Sequence, residues 1–179
     1  MFYTRIPVER VGVLIGPEGQ IKSRLEEMTG TKIIIDSETG EITIDESQAK
    51  DPTAALKVRD IVMAIGRGFS EERAFILLDD DMYLHVFDIK EAAGDSRKRM
   101  TQVKGRLIGS GGKTRRLLEE LAGVEVSIYG HTVALIGDMF HLNIGRQAVE
   151  MLLQGSEHRT VYRFLEKKRQ EIKAHELGL

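Results

Sequence analysis

The sequence predicts an α+β protein made of two copies of one unit, in which each copy is a three-stranded antiparallel sheet packed on helices. Two observations predict this fold class. The segment from Leu14 to Ile35 matches the segment from Leu107 to Ile128 without a gap, so that Gly16 aligns with Gly109, an offset of 93 residues. In both copies, a glycine loop is followed by a stretch with helical spacing and then by two short β-branched stretches.

The predicted order of elements in each copy is βααββα. An apolar alternation at Ile6 and Val8 predicts a strand ahead of the first glycine loop. The segment from Gln20 to Met28 follows the loop and predicts a helix, because its apolar residues recur every three or four positions. Gly30 then stands where the end of a helix requires a positive φ.

A hairpin and a further helix complete each copy. Residues 32–36 and 41–45 are predicted to pair as two strands. The helix predicted from Thr53 to Ile65 can cover the sheet with Leu56, Ile61 and Ile65, and Met139 to Leu153 is its counterpart. An extra helix is expected after each copy, and the one in the second copy begins near Ser156 and reaches about Glu176.

The repeat predicts two domains, residues 1–80 and residues 81–179, divided near the acidic run at 79–81. The alternative is a single intertwined domain. The net charge of the whole chain is -2, which argues against a protein that coats nucleic acid indiscriminately. This charge is unevenly divided, since residues 1–80 carry 10 basic and 15 acidic side chains and residues 81–179 carry 16 and 13.

Composition narrows the class of protein. The chain has no cysteine, which excludes disulfides and thiolate metal sites. It lacks a signal-peptide pattern and any apolar run near the roughly 18 residues of a membrane span, so we expect a cytoplasmic protein without a membrane contact. The five histidines show no metal-binding spacing, and no nucleophile has a matched base. We therefore expect no cofactor, no metal and no enzymatic activity.

The glycine loops carry the chemistry. A glycine loop that opens a helix lets a sugar-phosphate backbone approach the main chain closely. The phosphate loop of nucleotide-hydrolysing enzymes does not fit the second copy, because Leu107 stands where that pattern requires glycine. The dinucleotide-binding pattern fails at Thr114 for the same reason.

The pattern that fits is IGxxGxxI[KR], which runs from Ile15 to Lys22 and, more loosely, from Ile108 to Arg115. With the downstream LxxxTGxxIxI pattern, both copies resemble the type I KH domain. The resemblance implies that each GxxG loop clamps about four nucleotides of single-stranded RNA. It also implies that the bases lie in an apolar groove between the helix after the loop and the strand that contains Lys32 or Glu125.

The two loops are not equivalent. Glu18 places a negative charge in the first loop and Pro17 removes a potential N–H donor, whereas residues 97–116 around the second loop contain eight basic residues and no acid. We therefore expect the second loop to bind phosphate more strongly. The predicted RNA-binding residues are Gly16, Pro17, Glu18, Gly19 and Lys22 in the first copy, and Arg99, Lys104, Arg106, Ile108, Gly109, Ser110, Gly111, Gly112, Lys113, Arg115 and Arg116 in the second.

Residues 97–137, in which a basic helix precedes the second loop, extend the resemblance to a particular family. Nearly the whole chain resembles the archaeal and eukaryotic tandem-KH factors of small-ribosomal-subunit maturation, the partner-of-Nob-one and Krr family. The resemblance implies binding near the 3′ end of small-subunit ribosomal RNA, near the endonuclease that trims it, and contact with a translation initiation factor. Whether the first domain binds RNA or protein stays open. The alternatives are a KH subunit of an RNA-degrading complex and a protein-interaction scaffold that does not bind RNA.

Overall fold

The structure is a computed structural model that describes residues 1–179. It divides into two compact units, Met1–Asp80 and Asp81–Leu179. Each unit contains one three-stranded antiparallel sheet packed with helices, which confirms the predicted α+β class. No helix combines the length and the apolar character that crossing a membrane would require.

The first unit follows the predicted βααββα order. Its sheet has the strand order β1-β3-β2, and β3 is antiparallel to both neighbours. The core includes Leu14, Leu25, Ile33, Ile44 and Ile61, which are all fully buried. The elements are β1 (Phe2–Arg5), α1 (Val8–Ile15), α2 (Gln20–Thr29), β2 (Lys32–Ile35), β3 (Glu41–Asp45), α3 (Ala54–Gly66) and α4 (Glu71–Ala74).

The second unit repeats this topology with the strand order β4-β6-β5. Its core joins residues from the sheet and from every long helix, including Leu107, Leu118, Leu135, Val149 and Leu165. The elements are β4 (Tyr83–Asp88), α5 (Lys90–Ala93), α6 (Arg97–Ile108), α7 (Lys113–Ala122), β5 (Glu125–Tyr129), β6 (Thr132–Gly137), α8 (Met139–Leu153) and α9 (His158–Glu176).

The predicted position of the first strand was wrong. β1 ends at Arg5, Ile6 lies in the connection, and Val8 is the first residue of α1. Two apolar residues two positions apart fit a strand, but Val11 and Leu14 continue the series from Val8 at intervals of three, which is the spacing of a helix. Both Val11 and Leu14 are buried, so the helical period describes this segment.

One further detail differs from the prediction. Leu56 does not cover the sheet, because it is 42% exposed while Ile61 and Ile65 on the same helix are fully buried. The extra helix expected after each copy is present in both units, and in the first unit it is the four-residue α4, followed by a 3-10 turn from Phe75 to Leu78. In the second unit, α9 has 19 residues, so only this unit has a long C-terminal helix.

The segment ahead of the second loop is longer than its counterpart. Only Ile6 and Pro7 separate β1 from α1, whereas α5 and its flanking residues lie between Asp88 at the end of β4 and the start of α6. Helix α6 also has 12 residues, compared with eight in α1. The second unit therefore carries an insertion on the side from which the chain enters the glycine loop.

An arginine ties each helix that precedes a loop to the helix that follows the sheet. In the first unit, Arg10 donates from Nε to the carbonyl of Ile65 at 2.7 Å and from Nη2 to the carbonyl of Phe69 at 2.8 Å. In the second unit, Arg106 donates to the carbonyls of Leu152 and Ser156, near the end of α8. Charge-assisted bonds of this kind satisfy carbonyls that a helix end leaves without a partner.

Asp138 caps the N-terminus of α8. Its carboxylate accepts the backbone N–H of His141 at 2.9 Å and lies 2.7 Å from Nδ1 of the same histidine. Partial burial raises the pKa of Asp138, but the hydrogen bonds from His141 lower it by more, so the pKa lies below its ordinary value of 3.8.

We expect Asp138→Ala to reduce the free energy of unfolding by about 1 kcal/mol at pH 7, because an N-cap is lost. The folded-state pKa is below the unfolded value, so the carboxylate stabilises the fold above about pH 4 and this contribution is lost as the pH falls through the folded-state pKa. Urea denaturation of the wild type and the variant at pH 7 and about pH 3 measures the difference. A difference that does not shrink at the lower pH would contradict the assignment.

Candidate nucleic-acid interface

The two glycine loops have the same backbone conformation. In both, a glycine with positive φ ends one helix, a 3-10 turn follows, and a second glycine with positive φ stands at the N-cap of the next helix. No side chain caps either helix. Gly16 has φ and ψ of 74° and 175°, and its counterpart Gly109 has 75° and 173°. Glu18 has 55° and 26°, and Gly111 has 60° and 23°. Gly19 has 74° and 12°, and Gly112 has 79° and 15°.

The first glycine of each loop lies too close to the following helix to carry a side chain. A Cβ on Gly109 would lie 2.7 Å from the backbone nitrogen of Thr114, and a Cβ on Gly16 would lie 2.8 Å from Cβ of Ile21. The later glycines are different, because a Cβ on Gly111 or Gly112 would meet nothing within 4 Å. The outer side of the second loop is therefore open to a ligand.

Glu18 is the only residue other than glycine that has a positive φ. It occupies the position that Gly111 has in the second loop. A side chain in the left-handed region costs about 1 kcal/mol, and here it also places a carboxylate on the loop. The first loop thus has the shape of the second, and a Cβ on Gly19 would also meet nothing within 4 Å, but Glu18 puts a charged side chain where the second loop has only Gly111.

Helix α9 packs against the start of α7, immediately after the second loop. The hydroxyl of Tyr162 lies 2.7 Å from Oγ1 of Thr114, a residue that is almost completely buried. Nζ of Lys113 lies 5.5 Å from the centroid of the Tyr162 ring, within range of a cation–π interaction. In the first loop, Ile21 takes the place of Thr114, and no long helix follows the unit. The prediction missed Tyr162, because no local pattern connects it with residues 48 positions away.

A glutamate crosses the groove between the helix after each loop and the edge strand of the sheet. In the second unit, Oε1 of Glu119 accepts the backbone N–H of Val126 on β5 at 3.1 Å. Its other oxygen, Oε2, lies 3.3 Å from Nη1 of Arg115. The predicted RNA-binding cation at position 115 is therefore held by a carboxylate within the helix.

The first unit contains the same arrangement. Oε2 of Glu26 accepts the backbone N–H of Ile33 on β2 at 2.8 Å, and Oε1 lies 3.3 Å from Nζ of Lys22. The offset of 93 residues aligns Glu26 with Glu119, so the repeat itself contained the signal for this feature. The sequence-based prediction gave the two aligned glutamates no role.

The structure separates the predicted basic residues of the second unit into two sets. The first set is available to a ligand: the side chains of Arg99 and Lys104 make no ion pair within the chain, and Lys113 and Arg116 lie next to the loop. Nη1 of Arg116 donates to the carbonyl of Gly111 at 3.0 Å. Arg106 is instead engaged with carbonyls of the body of the unit. Ile108, Ser110 and the glycines form the exposed or half-buried loop itself.

No group of three or more histidine, aspartate or glutamate side chains is arranged to hold a metal ion. What the loop does offer is an exposed main chain, a helix N-terminus without a side-chain cap and neighbouring cations. This arrangement suits the binding of phosphate oxygens.

Family models match both units. A model described as a KH domain matches residues 2–58, and a model described as a eukaryotic type KH-domain, KH-domain type I, matches residues 83–170. The type I KH fold that the glycine motifs predicted is thereby confirmed for both copies.

The chain is also similar to named proteins along most of its length. It is 48% identical to a KH domain-containing protein of Methanocaldococcus jannaschii over 94% of the chain and 74% of that protein. It is 28% identical to the pre-rRNA-processing protein pno1 of Schizosaccharomyces pombe over 88% of the chain, although the match spans only 66% of that relative.

Two crystal structures from Pyrococcus horikoshii have the same fold. One is Dim2p, with 47% identity, a TM-score of 0.85 and coverage of 93% of this chain and 98% of that one. The other is the complex of a/eIF2alpha, aDim2p and rRNA, where a chain matches with 46% identity, a TM-score of 0.88 and coverage of 95% of this chain and 94% of that one.

We expect Glu18→Gly to raise the free energy of unfolding by about 1 kcal/mol, because glycine adopts a positive φ without the steric cost. The reciprocal change, Gly111→Glu, should lower it by a similar amount. Urea denaturation of both variants provides the measurement. A loss of stability in Glu18→Gly would show that the Glu18 side chain makes a stabilising contact in the loop.

We expect Arg106→Ala to lower the free energy of unfolding by about 2 kcal/mol, since two charge-assisted hydrogen bonds to carbonyls are removed. Arg116→Ala is the matched control, because Arg116 is exposed and makes one bond to the loop. The control should change stability by less than about 0.5 kcal/mol. Equal effects of the two substitutions in thermal or urea denaturation would contradict the structural role of Arg106.

Proposed function

Because the chain belongs to the PNO1/Dim2 family of tandem KH proteins, as an archaeal member, we propose that it binds the 3′ region of small-subunit ribosomal RNA during ribosome biogenesis. The relatives named as pre-rRNA-processing proteins support a role in ribosome biogenesis. The relative that is present in a complex with rRNA supports ribosomal RNA as the ligand. The 3′ region is our inference from the family resemblance of residues 97–137.

The observation that carries the proposal is the open surface of the second loop. A Cβ at Gly111 or Gly112 would meet no atom within 4 Å, so a sugar-phosphate backbone can approach the main chain there. In the proposed complex, phosphate oxygens accept hydrogen bonds from the exposed backbone N–H groups at the start of α7, and Lys113 and Arg116 neutralise their charge. The bases enter the groove between α7 and β5, which Glu119 crosses.

The first loop binds phosphate more weakly in this proposal. Glu18 repels a phosphate at the position where the second loop has Gly111, and Pro17 provides no N–H donor. The first unit therefore has surface available for a protein partner. The α subunit of initiation factor 2 is our first candidate, because the complex of the relative contains it.

The remaining parts of the proposal follow from the same family resemblance. The chain acts by binding RNA rather than by catalysis, in the cytoplasm, near the endonuclease that trims the 3′ end of the RNA. It spans about two thirds of the fission yeast relative, so any function of the remaining third of that protein is not carried over.

We expect Gly111→Asp to weaken binding of an oligonucleotide from the 3′ end of small-subunit rRNA by at least about tenfold, because a carboxylate then occupies the phosphate position. Gly19→Asp should change the affinity by less than about threefold. Fluorescence anisotropy across a salt series measures both. The slope of log affinity against log salt should fall by about 0.7 for each phosphate that the variant no longer neutralises.

The control variant is Gln147→Glu, which adds a charge of the same sign at an exposed position on α8 and should leave the affinity unchanged. Circular dichroism and thermal denaturation establish that each variant is folded. Equal binding by Gly111→Asp and the wild type would overturn the loop assignment, and an absence of RNA affinity in the wild type would favour the protein-interaction scaffold.

A further inference from the structure

A groove lies at the far end of α6 from the second loop. It is formed by the insertion around α5, by the first two turns of α6 and by the turn between β5 and β6. The residues that line it include Lys90, Ser96, Arg97, Met100, Lys104 and His131. Of these, only Lys104 belongs to the RNA-binding residues predicted from the sequence.

The groove is positively charged. No carboxylate lies within ion-pair distance of the side chains of Lys90, Arg97 and Lys104, and Asp95 is the one carboxylate in the lining. Asp88 lies at the rim, and although burial raises the pKa of its carboxyl, Lys90 is close enough for its charge to lower that pKa. His131 is fixed at the rim, because its Nδ1 lies 3.1 Å from Oδ1 of Asp88. Met100, which packs against the core of the unit, provides an apolar surface among these polar groups.

One face of α6 connects the groove with the second loop. Arg97, Thr101, Lys104 and Ile108 follow one another at intervals of three or four residues, which places them on one side of the helix. Ile108 is partly exposed immediately before Gly109. At about 1.5 Å per residue, this stripe is about 16 Å long. A stacked nucleic-acid strand advances about 3.4 Å per nucleotide, so the stripe can accommodate a few nucleotides.

The first unit has no equivalent groove. The residues aligned with Arg97 and Lys104 are Thr4, which lies in β1, and Val11, which is buried in the core. Helix α1 begins only at Val8, and no segment corresponds to α5. The basic groove is thus a property of the second unit and of its insertion, rather than of the repeated fold.

We propose that this groove is a second phosphate-binding subsite, which holds the RNA backbone one to a few nucleotides beyond those clamped at the GxxG loop. Lys90 and Arg97 contact the phosphate, and Met100 and His131 form the surface against which the adjoining nucleotide packs. The inference rests on the proposed function and deepens it. The insertion lengthens the single-stranded RNA that the second unit binds beyond the about four nucleotides of one KH loop.

The test compares oligonucleotides of four and nine nucleotides from the 3′ end of small-subunit rRNA, bound to the full chain. The double variant Lys90→Gln, Arg97→Gln should lose at least about fivefold in affinity for the longer RNA and less than about twofold for the shorter one. Its salt slope with the longer RNA should fall by about 0.7 for each phosphate that is no longer neutralised. Both side chains are exposed, so the fold does not depend on them.

The matched control is the double variant Lys167→Gln, Arg169→Gln, which removes two positive charges from the exposed face of α9. It should bind both oligonucleotides as the wild type does. An equal loss in the test and control variants would reduce the effect to overall charge and would overturn the subsite. Equal losses on the short and the long RNA would overturn it as well.

An NMR signal from inside the groove distinguishes RNA binding at the groove from contact of the longer RNA with the first unit. The chain has seven methionines, so the methyl resonance of Met100 can be assigned by substitution in a methyl-labelled sample. We expect this resonance to shift with nine nucleotides and not with four. An unshifted Met100 at saturation with the longer RNA would overturn the subsite while leaving the proposed function intact. If neither oligonucleotide binds, the proposed function itself fails.

Discussion

The surface of the second unit that we propose binds RNA depends on the contact between Gly109 and the first turn of α7. No side chain fits there, because a Cβ would lie 2.7 Å from the backbone nitrogen of Thr114. This close approach turns the chain sharply between α6 and α7 and leaves Gly111 and Gly112 facing outward with no neighbour within 4 Å of a Cβ. The positions of the flanking cations follow, since they are carried by the two helices that this turn joins.

The two units show how one backbone can acquire two chemistries. Their loops have φ and ψ values within a few degrees of each other, and both use a glutamate to join the helix to the edge strand. The differences lie in side chains and additions. Glu18 stands where the second loop has Gly111, Ile21 stands where Thr114 bonds to Tyr162, and only the second unit has α5 and α9. Both copies have the same turn, whereas the cluster of basic residues around the loop and the support from a long C-terminal helix occur only in the second copy.

The number of basic residues overstates the charge that is available to a ligand. Of the eight basic residues at positions 97–116, Arg106 is engaged with two carbonyls and Arg115 with Glu119, whereas Arg116 is exposed and makes one bond to the carbonyl of Gly111. The uncommitted cations lie mostly upstream on α6, so the free positive charge extends from the loop towards the groove at the start of that helix. Cations held by the protein are also preorganised, so in the proposed complex Arg115 and Arg116 would lose less conformational entropy on binding a phosphate.

The sequence by itself determined the repeat, the element order after the first strand and both glycine turns, because these depend on local spacing and on residues that alone tolerate a positive φ. It misplaced the first strand, since two apolar residues are too few to distinguish a strand from a helix. Only the tertiary structure decided that Arg106 faces the body, that Tyr162 supports Thr114 and that His131 pairs with Asp88 and lines the same groove as the start of α6. These contacts join residues about 30 to 50 positions apart, and side-chain direction at such separations is set by packing, which no local pattern encodes.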